Sequence, residues 1–108
     1  MNTTLRIALG LAVTILPAGA TPHAKAADVS EGRTLAQTVC SKCHEVVTTG
    51  AGWTNAPSFA AIANKPTSTT ASLEYIIQTP HPKMLSSAAR SAREAADLAA
   101  YILSLRQK

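Results

Sequence analysis

At 108 residues, with ten basic against six acidic side chains and 46% hydrophobic residues, the chain can form one small domain around a thin core. Its net charge of +4 is spread along the sequence, and no basic run interleaves with aromatics, which excludes the usual footprint of a nucleic-acid binder. Cys40 and Cys43 are the only cysteines, so whatever thiol or metal chemistry the chain performs is confined to one short stretch.

The front of the chain has the pattern of a secretory leader. Met1 to Leu5 is short and polar, Arg6 supplies a positive charge, and a mostly apolar run extends from Ile7 to Leu16. Pro17 and Gly19 break that run, and Ala24-Lys25-Ala26 supplies the small-x-small pattern at which a leader is cut. Ala18-Gly19-Ala20 fits the same pattern, but a cut after Ala26 is preferred because it falls just before the first helical pattern. The apolar run covers about half of the roughly 20 residues needed to span a bilayer, so no stable membrane anchor is expected. The expected division is a cleaved leader over 1–26 and one domain over 27–108, placed in the periplasm. That domain keeps eight basic and six acidic side chains, a mild positive balance. A domain this short usually depends on a staple such as a disulfide, a metal or a bound cofactor.

Beyond the leader, apolar residues recur at helical spacing and no strand alternation is found, which predicts an all-α domain. The first helix is expected to start at Asp28, with Glu31 completing a capping box, and to run through Leu35 and Val39 to the cysteines. A loop rich in Thr, Gly and Pro follows from Thr48 to Pro57. Pro57 then opens a short helix that turns Phe59, Ile62 and Ala63 inward. Asn64 to Thr70, broken by Pro66, reads as another loop. Leu73, Tyr75, Ile76 and Ile77 mark a third helix that must end before Pro80 and Pro82. Ser91 and Glu94 form a second capping box. Behind it Ala95, Leu98, Ile102 and Leu105 line one face of a last helix, with Tyr101 beside them.

Cys40-Ser41-Lys42-Cys43-His44 carries the chemistry. Two thiols separated by two residues can each reach one vinyl group of a single haem, and the next residue, His44, is then held beneath the iron as its proximal ligand. The expected cofactor is one covalently attached haem c. Zinc is a poor alternative, because the mature segment offers only two cysteines and two histidines, with His44 directly beside Cys43. A redox-active dithiol would call for a βαβ pattern, which is missing.

The order of these pieces resembles the small class I c-type cytochromes over nearly the whole mature segment. A helix with Gly32 precedes Cys40, Cys43 and His44; Ala56-Pro57 follows; then come an amphipathic helix, the proline-flanked His81-Pro82-Lys83-Met84, and a terminal Asp97-Leu98-Ala99-Ala100-Tyr101-Ile102. The resemblance implies the class I cytochrome c fold, helices and loops wrapped round the haem. It implies that the first and last helices cross closely at Gly32, opposite Leu98 and Tyr101. It also implies that the Pro57 carbonyl accepts the second ring N–H of His44, fixing the ring and raising its basicity. Ala36 departs from the pattern, since many relatives place an aromatic there, which implies a looser crossing.

Met84 is the only methionine left once the leader is removed, and it stands forty positions after His44 in a loop between helices. In the layout of the family it is the second axial ligand. A thioether favours ferrous iron, so His/Met ligation raises the potential, and with both axial positions filled no site remains for a substrate. His81, between Pro80 and Pro82, reads as a loop histidine, because it and Met84 cannot both ligate. Trp53 and Tyr75 are candidates for hydrogen bonds to haem propionates, with simple packing the alternative. Lys42 lies within the attachment motif and Lys83 beside the axial methionine, where they would steer an acidic protein donor or acceptor towards the haem edge, with solvated lysines of no role the alternative. The expected function is therefore a periplasmic one-electron carrier and not an enzyme. The alternative is a dedicated haem subunit of a larger periplasmic oxidoreductase.

Overall fold

A computed structural model describes residues 19, 25–47, 56–84 and 89–108. Trp53 and most of the leader lie outside the described residues. Among the described residues are four α-helices, α1 (Val29–Val39), α2 (Phe59–Ala63), α3 (Thr70–Gln78) and α4 (Ala92–Ser104), with a 3₁₀ turn at Cys40–Lys42 continuing α1. No strand occurs among the described residues. None of their helices is long and apolar enough to cross a membrane.

Each helix starts where a small polar side chain satisfies amide groups that have no partner within the helix. The Asp28 carboxylate accepts from the N–H groups of Ser30 and Glu31. Glu31 does not return the bond, so α1 has a simple cap where the sequence suggested a capping box. Ser58 caps α2 through Ala61 N–H. The reciprocal box expected at Ser91 and Glu94 is present: Ser91 Oγ accepts from Glu94 N–H, and Glu94 Oε2 accepts from Ser91 N–H at 3.0 Å. A further box, Thr69 with Ser72, opens α3 three residues before its first apolar position at Leu73.

Two of these carboxyls are held below their ordinary values. For Asp28 the chief causes are the N–H groups of Glu31 and Ser30; for Glu94 they are the Ser91 N–H and then its hydroxyl. A group whose folded value lies below its unfolded value stabilises the fold above the unfolded value, and that stabilisation is lost as the pH falls through the folded one. Thermal melts are therefore expected to hold from neutrality down to about pH 5 and to fall below about pH 4. A melting temperature that rises on acidification would contradict this.

The helices converge on one core of Ala36, Val46, Phe59, Ala63, Leu73, Leu98, Ala99, Tyr101 and Ile102. Its centre is the crossing of α1 and α4. A Cβ placed on Gly32 would press on the Asp97 carbonyl oxygen and stand 2.6 Å from its carbon and 2.9 Å from Tyr101 Cβ. Of the residues expected there, Tyr101 stands against the glycine, and the Asp97 carbonyl comes nearest of all. Ala36, one turn further along α1, is fully enclosed. Its small side chain admits the close approach, and the crossing is not loosened.

Long-range polar contacts fasten the ends of the chain to this core. Tyr101 is buried, and its hydroxyl donates to Val46 O at 2.5 Å, which ties α4 to the segment just after His44. Near the C-terminus Arg106 donates to Ala63 O at 2.7 Å and Ser68 O at 2.6 Å, while Gln107 N–H donates to Asn64 Oδ1 at 3.0 Å. These bonds close the loop between α2 and α3 over the end of α4.

Candidate haem-attachment site

The attachment motif is built on the turn that ends α1. As the helix tightens into the 3₁₀ turn, the N–H groups of Cys43 and His44 both donate to Cys40 O, at 3.1 and 2.9 Å. Cys40 is half-buried against the core, whereas Cys43 is exposed. Burial pushes the Cys40 thiol above its ordinary value, with the charge of Arg90 opposing the shift. A dithiol oxidoreductase needs the opposite, a thiol lowered so that thiolate is available at neutral pH. The local electrostatics therefore disfavour redox-active dithiol chemistry.

His44 is half-buried and held in one orientation. Its Nδ1 lies 2.8 Å from Pro57 O. A carbonyl oxygen only accepts, so the bond places the ring proton on Nδ1 and leaves the Nε2 lone pair free for a metal. The two residues are brought together by a second bond, Phe59 N–H to Glu45 O at 2.9 Å, which lays the start of α2 alongside the segment after the motif. The Phe59 ring then packs against the imidazole, centroids 5.4 Å apart, and against Tyr101 at 6.5 Å. Pro57 suits the task because it has no N–H of its own, and its fixed φ presents the carbonyl just ahead of the α2 cap.

Met84 comes from a different element. It is half-buried at the end of a turn after α3, with its N–H bonded to His81 O at 2.8 Å. The turn is reinforced by Lys83 N–H, which lies 3.2 Å from His81 Nδ1. This contact engages the imidazole of His81 locally. On α3, Tyr75 and Ile76 are 68% and 43% exposed. Lys42 and Lys83 are both exposed.

The donor set fits a covalently attached haem. Two thiols are spaced by a turn, and an imidazole anchored through Nδ1 keeps its Nε2 for a metal beside an aromatic wall. The sequence model of the family described as cytochrome c oxidase, cbb3-type, subunit III matches residues 27–102. The chain belongs to this cytochrome c family. It is also 40% identical to cytochrome c-552 of Bradyrhizobium diazoefficiens over 99 residues, covering 90% of this chain and 93% of that protein. No solved structure matches. The cytochrome is thus a small all-α electron carrier with one covalently bound haem c.

In the cytochrome, Cys40→Ser or Cys43→Ser is expected to remove one tether of the haem and with it part of the staple on which a small core depends. Each variant is expected to accumulate as haem-loaded protein several-fold less than the parent and to melt at a lower temperature. Equal yield and an unchanged melt for both would show that the fold does not depend on these tethers.

Proposed function

We propose that the cytochrome is a periplasmic one-electron carrier, exported behind a cleaved leader, in which His44 and Met84 are the two axial ligands. The observation that carries the reading is the 2.8 Å bond from His44 Nδ1 to Pro57 O within a C-x-x-C-H motif. When bound, haem supplies the redox centre, its iron changing by one electron with no bond in a substrate altered. The protein residues have distinct tasks. Cys40 and Cys43 tether the group, and Pro57 fixes the His44 ring and makes Nε2 a stronger donor. Met84 would supply the second ligand, so that the iron would offer no open position to a substrate. That arrangement suits a carrier and not an enzyme.

Export is supported by the leader pattern ahead of residue 27 and by the attachment motif itself. Exposed Lys42 and Lys83 would form a positive rim beside the attachment motif and Met84. Such a rim would speed encounter with an acidic protein donor or acceptor and lose its effect as salt is raised. The test of the ligand set is the visible spectrum of the ferric protein. The weak sulfur-to-iron charge-transfer band near the red end is expected. Its absence, with a spectrum typical of two nitrogen ligands or an open site, would remove Met84.

A second reading is kept because the matching family description is that of an oxidase subunit. In it the same chemistry serves one fixed partner within a larger complex. The near-complete overlap with a protein named simply as a cytochrome favours the free carrier. Gel filtration from the native source separates the two: elution as a small monomer supports the carrier, and co-elution with larger subunits supports the second reading.

A further inference from the structure

The segment before α1 is fastened to α4 by a group of charge-assisted bonds that haem binding does not use. Arg93 donates from Nη1 to Lys25 O at 2.7 Å and from Nη2 to Ala26 O at 2.9 Å. The same guanidinium pairs with Asp97 Oδ1 at 3.1 Å, and that oxygen accepts from Asp28 N–H at 2.7 Å. Asp97 is buried, which makes it the fixed point of the group. Bonds of this type are stronger than neutral ones, and two of them reach backbone that a cut after Ala26 would remove.

We propose that Lys25 and Ala26 belong to the mature cytochrome, clasped by Arg93, and that the leader is removed upstream of them at Ala18-Gly19-Ala20. The inference rests on the reading that the chain is exported behind a leader. The step is hydrolysis by a leader peptidase: water adds across the Ala20–Thr21 peptide bond, leaving a carboxylate on Ala20 and an ammonium on Thr21.

Cutting after Ala26 would carry an electrostatic cost. The amide nitrogen of Ala27 is bonded to the carbonyl carbon whose oxygen Arg93 holds. Hydrolysis there takes that acceptor away and leaves an α-amino group in its place, mostly charged at neutral pH with an ordinary pKa of about 7.7–8.0. A guanidinium that had two carbonyl partners would then face a neighbouring cation, and Asp97 would have to serve both. Cutting after Ala20 keeps every bond of the group and places the new charge well upstream. The sequence allows this, since Ala18-Gly19-Ala20 has the same small-x-small pattern and follows the apolar run ending at Leu16 more closely.

The full-length chain, exported with a working haem-attachment apparatus, gives the test through N-terminal sequencing and intact mass of the haem-loaded protein. A first residue of Thr21 is expected. A first residue of Ala27 overturns the inference and leaves the export reading standing, whereas an intact Met1 overturns both. The clasp has its own readout in digestion of the purified holoprotein by a lysine-specific protease. Arg93→Ala is expected to raise the rate of cleavage after Lys25 several-fold, and Arg93→Gln gives the same comparison should the alanine variant fail to fold. An unchanged rate in a folded variant overturns the role of Arg93.

Discussion

Met84→Ala is expected to yield a ferrous protein that binds carbon monoxide stoichiometrically, where the parent binds none. The thioether is the proposed ligand opposite His44, and an alanine methyl cannot replace it. Loss of a soft ligand that favours the ferrous state also lowers the reduction potential. Little of the effect should come from unfolding. Met84 is only half-buried, and the bond of its turn runs from its backbone N–H to His81 O, which alanine retains. A carbon monoxide titration followed by a potentiometric titration reads both consequences. An unchanged potential with no carbon monoxide uptake would take Met84 out of the site and reopen the question of the second ligand.

Gly32→Ala is expected to be among the most destabilising single methyl additions in the molecule. Alanine is the better helix former by about 1 kcal/mol, so an isolated α1 would gain. In the folded protein the added Cβ meets backbone, the Asp97 carbonyl, and the Cβ of Tyr101, none of which is the far end of a flexible side chain. Relief requires α1 and α4 to move apart. That movement would disturb the Asp28–Asp97 bond and the contacts of Ala36 in the same interface. Overpacking of this kind costs about 1–3 kcal/mol and occasionally more, and here it is expected to exceed the propensity gain. A net loss of about 2 kcal/mol in a domain of this size lowers the melting temperature by roughly 8–16 °C. A variant that melts at or above the parent temperature would mean that the crossing is not as close as described.

The sequence made the helices legible where a cap and an apolar period agree. Asp28 starts α1, and Ser91 with Glu94 starts α4, as their spacing indicates. The start of α3 is less legible: Thr70 reads as the end of a loop because Thr70 to Ser72 carries no apolar period, although Thr69 and Ser72 have the residue types of a box. Crossing register was harder to read. Gly32 marks the close approach, but only the three-dimensional path shows that the Asp97 carbonyl comes nearest to it.

The C-x-x-C-H motif is local and is legible in five consecutive residues, Cys40 to His44. The His44 to Pro57 bond spans thirteen positions, and only the family likeness pointed to it. Asp97 had no signal at all. An acid on a helix reads as a solvated residue, yet here it is buried because Asp28 N–H and Arg93 meet it from two sides. The same is true of Tyr101, which the sequence places beside the apolar face and whose buried hydroxyl donates to Val46 O. Contacts of this kind depend on how distant segments meet, which no short window of sequence encodes.

The most direct test of the account is the intact mass of the exported polypeptide, measured with and without a thiol-alkylating reagent. The account predicts the mass of one tetrapyrrole added to the chain and no alkylation, both Cys40 and Cys43 being consumed in thioether bonds. A bare polypeptide that takes up two alkyl groups, made with a working attachment apparatus, would contradict it.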